Sequence, residues 1–331
     1  MNFLKSKPSK KLLICASIIL LLVSTVVLVL SNTNNAADTS IPLILSFSST
    51  PTPYPLPTRV YRTPSYFTTI FEQIFGKRNR FINPSLIEED GQPKAENAHF
   101  DLYAVNNYLP IDIQWFQKKF DQVYEFVSAR LDITISDKVV VTFVPPQSGE
   151  CAPRGTTFLE QQPIIVIYAN RATSEEQILA TLAHELGHVF IHQKYANLSD
   201  VALTEGMATW AAGDYWEEWK GVDFNFGVKA FINAGTYLPL YQNYYMEKAY
   251  DDNSSGCITQ RDILLTEFAS FLDYLTQNYG TVKLSILFNT RQPELVNNQR
   301  VVYPPNYRDV YGLEFNQLEY EWLKTLLQPN Q

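Results

Sequence analysis

Three of the chain's four histidines fall between positions 184 and 192, and two of them frame the run His184-Glu185-Leu186-Gly187-His188. Four residues of α-helix turn through about 400°, so imidazoles at i and i+4 leave one face, a turn apart. Two such nitrogens can ligate one divalent ion. Zinc accepts imidazole nitrogen at about 2.0–2.1 Å, and a hydrolytic zinc site uses three protein ligands and a water. Glu185 projects beside the pair, where it can take the proton of a zinc-bound water that attacks a carbonyl. The plain alternative is a helix whose histidines only satisfy core hydrogen bonds. It leaves Glu185 without a reason, because an unpaired buried carboxylate is costly.

The third ligand must come from elsewhere. His192 extends the same stripe, but it lies about 12 Å along the axis from His184, too far to share its ion. A third histidine ten residues into the motif would stand at position 194, which is Lys194, so the metzincin arrangement fails. That leaves a carboxylate. Glu205 follows His188 by seventeen positions, on a helix that a short connection can fold back antiparallel. Gly206 beside it permits close helix approach. Asp200 and Asp214 are weaker choices for the ligand, since they also read as a cap and a surface charge.

These residues need a scaffold. Thr173 followed by Glu176 is a capping-box pattern, so the spacing predicts a helix from Ser174 to about Lys194. A second helix is predicted around Val201–Trp219, a third from about Thr259 to Asn278 with Gly280 as its stop, and a last one over Asn316–Leu327. Upstream, alternating residues from His99 and the runs Lys138–Val144 and Pro163–Ala169 read as strands. Apolar residues recurring at three and four make Pro110–Leu131 an amphipathic helix. The stretch holding Gly149, Cys151, Pro153 and Gly155 reads as a loop. Strands first and helices after make an α+β layout, a small mixed sheet followed by a helical half with the His-bearing helix between.

With these residues in place, the chain resembles the gluzincin metallopeptidases, specifically the peptidase MA-like group related to thermolysin and the aminopeptidases. The resemblance rests on HELGH at 184–188 and LTEGMATW at 203–210, and it covers about residues 97–327. It implies a zincin-like fold with His184, His188 and Glu205 as ligands of one zinc ion per chain and Glu185 as general base. It also implies that the strand at 164–169 lines the cleft and pairs with an extended substrate. Relatives place a tyrosine or histidine to steady the oxyanion, often at the start of the following helix. Here Asp262–Glu267 holds neither, and Tyr250, Tyr245 and Arg261 remain as alternatives. Some relatives carry an acid four residues after the glutamate ligand to orient a histidine. This chain has Thr209 there, so that role is expected to fall to another residue.

The whole chain has 331 residues and a formal net charge of −8. Lys5, Lys7, Lys10 and Lys11 precede an apolar run, and without these four lysines the rest carries −12. An acidic body argues against nucleic acid as the partner. It would favour basic substrates, although a solvated acidic surface explains it equally well. Residues 1–11 read as a cytoplasmic leader, 12–30 as a single transmembrane anchor, 31–60 as a Ser/Thr/Pro-rich linker, and 61–331 as an extracytoplasmic domain. A cleaved signal peptide, which would make the protein secreted, usually has an apolar core of only about 7–15 residues. In an exported body Cys151 and Cys257 either pair or remain buried thiols. Asn197 and Asn253 open glycosylation sequons.

The expectation is therefore a membrane-anchored zinc metallopeptidase acting on peptides or proteins. The alternative from another class is a surface-anchored binding or scaffold protein that keeps the metal without turnover. A third idea is an amide hydrolase acting on cell-wall peptides. Oligomeric state, and endo- against exopeptidase action, are not legible.

Overall fold

The computed structural model describes residues 50–61, 92–159, 162–195, 200–250, 255–290, 294–296, 299–302 and 304–328. All of them belong to the unit Phe47–Gln331. The proposed anchor at 12–30, the first part of the linker and both sequon asparagines lie outside these residues. Among the described residues no helix is long and apolar enough to cross a membrane.

The elements run β1 (Arg59–Tyr61), β2 (Ala95–Glu96), β3 (Phe100–Tyr103), α1 (Ile113–Leu131), β4 (Val139–Val144), β5 (Gly155–Leu159) and β6 (Pro163–Tyr168). Then follow α2 (Glu175–Tyr195), α3 (Val201–Lys220), α4 (Phe224–Asn233), α5 (Leu240–Asn243), α6 (Glu247–Tyr250), α7 (Cys257–Tyr279) and α8 (Thr281–Phe288). The chain closes with β7 (Glu294–Val296), β8 (Gln299–Val302), α9 (Tyr307–Tyr311) and α10 (Phe315–Leu327). The five-stranded sheet has the order β2-β3-β4-β6-β5. Strands β3, β4 and β6 are parallel, while β2 and β5 run antiparallel at the two edges. The fold is thus α+β, a small mixed sheet followed by helices.

Two differences from the sequence reading matter for the site. First, β5 replaces part of the loop expected before β6, because the β-formers Thr156, Thr157 and Phe158 override the Gly and Pro around them. It pairs with β6 from Gly155–Ile167 to Leu159–Pro163. Strand β6 is therefore interior, flanked by β4 and β5, and its backbone is not open to a substrate. The edge beside α2 belongs to β5. Second, α2 is capped by Ser174, whose Oγ accepts from Gln177 N at 3.2 Å. Thr173 instead closes the preceding turn by accepting from Asn170 N at 3.0 Å.

Helix α2 is buried without interruption from Ile178 to Ile191, which is why it lacks a polar face. It lies between the sheet layer and the later helices. Helix α1 supplies Phe116, Phe120, Tyr124 and Val127 to the core on its other side. Tyr124 meets Phe190 at a ring distance of 5.1 Å, and Phe120 meets Phe143 of β4 at 6.4 Å. Full burial of a Leu or Phe side chain contributes about 1.5–3 kcal/mol, so Leu182, Leu186 and Phe190 anchor α2 strongly.

Helix α3 packs closely on α2 because Gly187 has no side chain. A Cβ there would lie 2.8 Å from Ala208 Cα. Gly206, expected to serve this contact, serves the opposite one, since its Cβ would meet Phe268 of α7 at 2.8 Å. Gly213 kinks α3 with φ +46°, a conformation that glycine adopts without strain. Asp200 caps α3 by accepting from Leu203 N at 2.7 Å, and Asp214 is exposed, both as read.

The proline-rich segment 51–57 lies on the body. Leu56 is buried, and Tyr241 donates to Pro55 O at 3.3 Å. Tyr245 donates to Pro57 O, and Asn316 Nδ2 donates to Thr52 O at 2.8 Å. Strand β1 then pairs with β8. The alternating prolines do favour an extended chain, but its last part is docked rather than a free spacer.

Cys151 and Cys257 are joined in a disulfide with Cα atoms 5.5 Å apart, closing a sequence separation of 106 residues. It ties the approach to β5 to the first turn of α7. Long loops gain most from such closure in the chain-entropy account. We expect the Cys151→Ser, Cys257→Ser double variant to lose about 2–4 kcal/mol of stability in denaturant titration. An unchanged midpoint would show the bond to be dispensable.

Candidate metal centre

Helix α2 brings His184 and His188 to one face, and α3 returns antiparallel to set Glu205 against them. Their three donor atoms form a tight triangle. His184 Nε2 and His188 Nε2 are 3.1 Å apart. Glu205 Oε2 lies 3.2 Å from the first and 3.7 Å from the second. All three residues are buried. An ion with tetrahedral bonds of about 2.05 Å holds its ligand atoms about 3.3 Å apart, which matches this triangle. Among the described residues no other group of three His, Cys, Asp or Glu residues gathers in this way. The donor set therefore fits one divalent ion.

Charge is arranged to suit. Burial alone would raise the Glu205 carboxyl, but the adjacent His188 and His184 outweigh it and hold the group well below the usual carboxylate range. Burial alone would lower His188, and the Glu205 carboxylate outweighs that to raise it. Both shifts describe one interaction, a buried anion that stabilises positive charge at His188. A metal ion would take the place of that positive charge.

Neighbouring groups fix the orientations. Thr209 Oγ1 donates to Glu205 O at 2.9 Å and lies 3.1 Å from His184 Nδ1. With its own proton committed, Thr209 accepts the Nδ1 proton, which leaves the His184 Nε2 lone pair facing the cluster. Thr209 thus fills the orienting position that the sequence reading assigned to another residue. Its hydroxyl shares a face with Glu205 one turn away, a signal the spacing did contain. The His188 Nδ1 atom is sealed and has no partner among the described residues.

Glu185 is buried beside the triad but outside it. Thr157 Oγ1 of β5 donates to Glu185 Oε2 at 2.6 Å, which aims the carboxylate along the edge strand. Gly155 makes room for it, since a Cβ at that position would lie 2.5 Å from Glu185 Oε1. The sequence shows Gly155 only as a loop residue and does not single out Thr157, because both roles depend on β5.

A cleft opens onto these groups. His184, Glu185, His188 and Glu205 form its floor, and Gly155–Thr157, Trp216, Tyr250, Arg261 and Leu265 line its walls. Of the three oxyanion alternatives, Tyr245 turns away to Pro57. Tyr250 comes within hydrogen-bonding range of Glu205. Burial first, then the Glu205 charge, raise its phenol well above the usual range, so it stays a proton donor. Arg261 stacks over the Tyr250 ring at 4.7 Å. His192 is half-buried and does not join the cluster.

No protein-family model matches the chain, and a search of curated proteins finds no match.

Metal and proton compete for the same nitrogen, and His188 holds its proton to higher pH than a free imidazole. Zinc affinity, measured by competition with a chromophoric chelator, should therefore still be rising above pH 6.5, by about tenfold per unit below the His188 pKa. A flat affinity from pH 6 to 8 would contradict this assignment of the ligands.

Proposed function

We propose that this chain is a zinc-dependent metallopeptidase of the gluzincin kind, acting on peptide bonds, with one ion held by His184, His188 and Glu205. The observation that carries the reading is the convergence of three ligand atoms, with a second carboxylate, Glu185, held by Thr157 beside them on the same cleft. When bound, the ion supplies a Lewis acid that acidifies a ligated water and polarises a carbonyl. Glu185 accepts the water's proton at its carboxylate and returns it to the departing amine. Thr157 holds that carboxylate in place through the hydroxyl bond to Oε2. Tyr250 donates its phenolic proton toward the oxygen that gains charge. The free edge of β5, rather than β6, offers main-chain groups to an extended substrate.

The rival reading is a metal-keeping scaffold without turnover, motivated by the missing tyrosine near 262–267. Tyr250 on the cleft wall supports the hydrolytic reading, because it brings a hydroxyl from the preceding segment to that place. In this proposal the basic leader and the run at 12–30 anchor the domain outside the cytoplasm.

The test is a broad peptide-library digest with zinc-loaded protein. Glu185→Gln should keep one zinc per chain and lose at least about a hundredfold in rate. Tyr250→Phe should lose about ten- to a thousandfold in kcat with metal retained. No cleavage above the Glu185→Gln control would favour the scaffold.

A further inference from the structure

The cleft wall carries more positive charge than an acidic protein leads one to expect. Arg154 and Arg261 both line it. Arg154 is committed, with Nη1 and Nη2 donating to Asp262 Oδ1 and Oδ2 at 2.7 and 2.9 Å. Lys220 shares that same carboxylate at 2.8 Å, so two cations surround one anion. Arg261 differs. Its Nε donates to Ala249 O at 3.2 Å and its Nη2 to Cys151 O at 3.1 Å, both neutral acceptors. Among the described residues no carboxylate lies within ion-pair distance of Arg261. A guanidinium has five N–H donors, so two bonds leave Nη1 and part of Nη2 to spare.

From this arrangement we infer that Arg261 recognises a carboxylate of the substrate, so that the cleft selects peptides carrying an acidic group close to the scissile bond. The inference rests on the peptidase reading above and names the substrate class of that same site. The guanidinium fork matches a carboxylate in geometry as well as charge. The two backbone carbonyls hold it rigid, and the disulfide fixes one of those carbonyls, that of Cys151, to the first turn of α7. The same chemistry has two sources, a Glu or Asp side chain or the free C-terminal carboxylate of a short peptide.

Calorimetry on the full chain carrying Glu185→Gln and loaded with zinc separates them. The probes are terminally blocked pentapeptides with Glu or Gln at each position in turn, and the Gln peptides again with a free C-terminus. We expect at least one Glu peptide, or the free-acid arm, to bind about tenfold or more tightly than its neutral twin. Adding Arg261→Gln should reduce that preference to under about twofold while zinc stays at one per chain, and Arg261→Lys should restore part of it. A merely structural role would weaken acidic and neutral peptides alike. Equal binding of every pair, or a preference that survives Arg261→Gln, overturns the inference. If Arg261→Gln does not fold, the peptide pairs on the Arg261 protein decide alone. Parallel digests with Glu185 intact keep the two readings apart. A carboxylate preference without cleavage sinks the peptidase and spares Arg261, whereas cleavage without preference does the reverse.

Discussion

The Glu205 carboxylate is sealed between two imidazoles, and a buried anion in that position demands a cation. Taking a carboxylate out of water is costly unless a partner compensates it. Here the compensation comes from His184 and His188, on a different helix, so the charge pairing and the antiparallel packing of α2 on α3 depend on each other. Gly187 permits the approach and Ala208 occupies the space it leaves. Thr209 then ties the backbone of one ligand to the ring of another. The cluster is thus held from behind by groups with no contact to a substrate, as metal-binding positions generally require.

The same logic extends outward from the floor of the cleft. Thr157 on the edge strand aims Glu185, while Tyr250 and Arg261 reach in from α6 and α7. Several segments therefore meet around one cavity, and separate devices hold them. The disulfide joins the approach of β5 to α7. Glu319 of α10 accepts from the Tyr237 hydroxyl at 2.6 Å and from Tyr241 N at 3.0 Å, which anchors the start of the aromatic segment. The docked prolines bear on the same segment through Tyr241 and Tyr245. Residues 51–57 thus contact the stretch of chain that leads to Tyr250.

Much of this was legible in the sequence, and the exceptions have physical causes. His184, Glu185 and His188 announce themselves because helical spacing alone places them together. Glu205 was readable because a short connection forces the next helix back. Strand β5 was hidden by Gly149, Pro153 and Gly155, residues that punctuate loops but here only introduce an edge strand. The spacing puts Thr209 on the face of Glu205, but its bond to the His184 ring depends on the packing of α3 on α2. The charge total left basic substrates and a solvated acidic surface equally open, and it said nothing of Arg261 on the cleft wall. A net charge describes solubility and long-range field, not the lining of a pocket.

The central claim is that two imidazole nitrogens and one carboxylate oxygen surround a single ion. X-ray absorption spectroscopy on the zinc-loaded full chain addresses it directly. The account predicts a four- or five-coordinate ion with two imidazoles and the remaining ligands oxygen, at about 2.0–2.2 Å, and no sulfur. A spectrum without imidazole scattering, or one with a sulfur ligand, would contradict it.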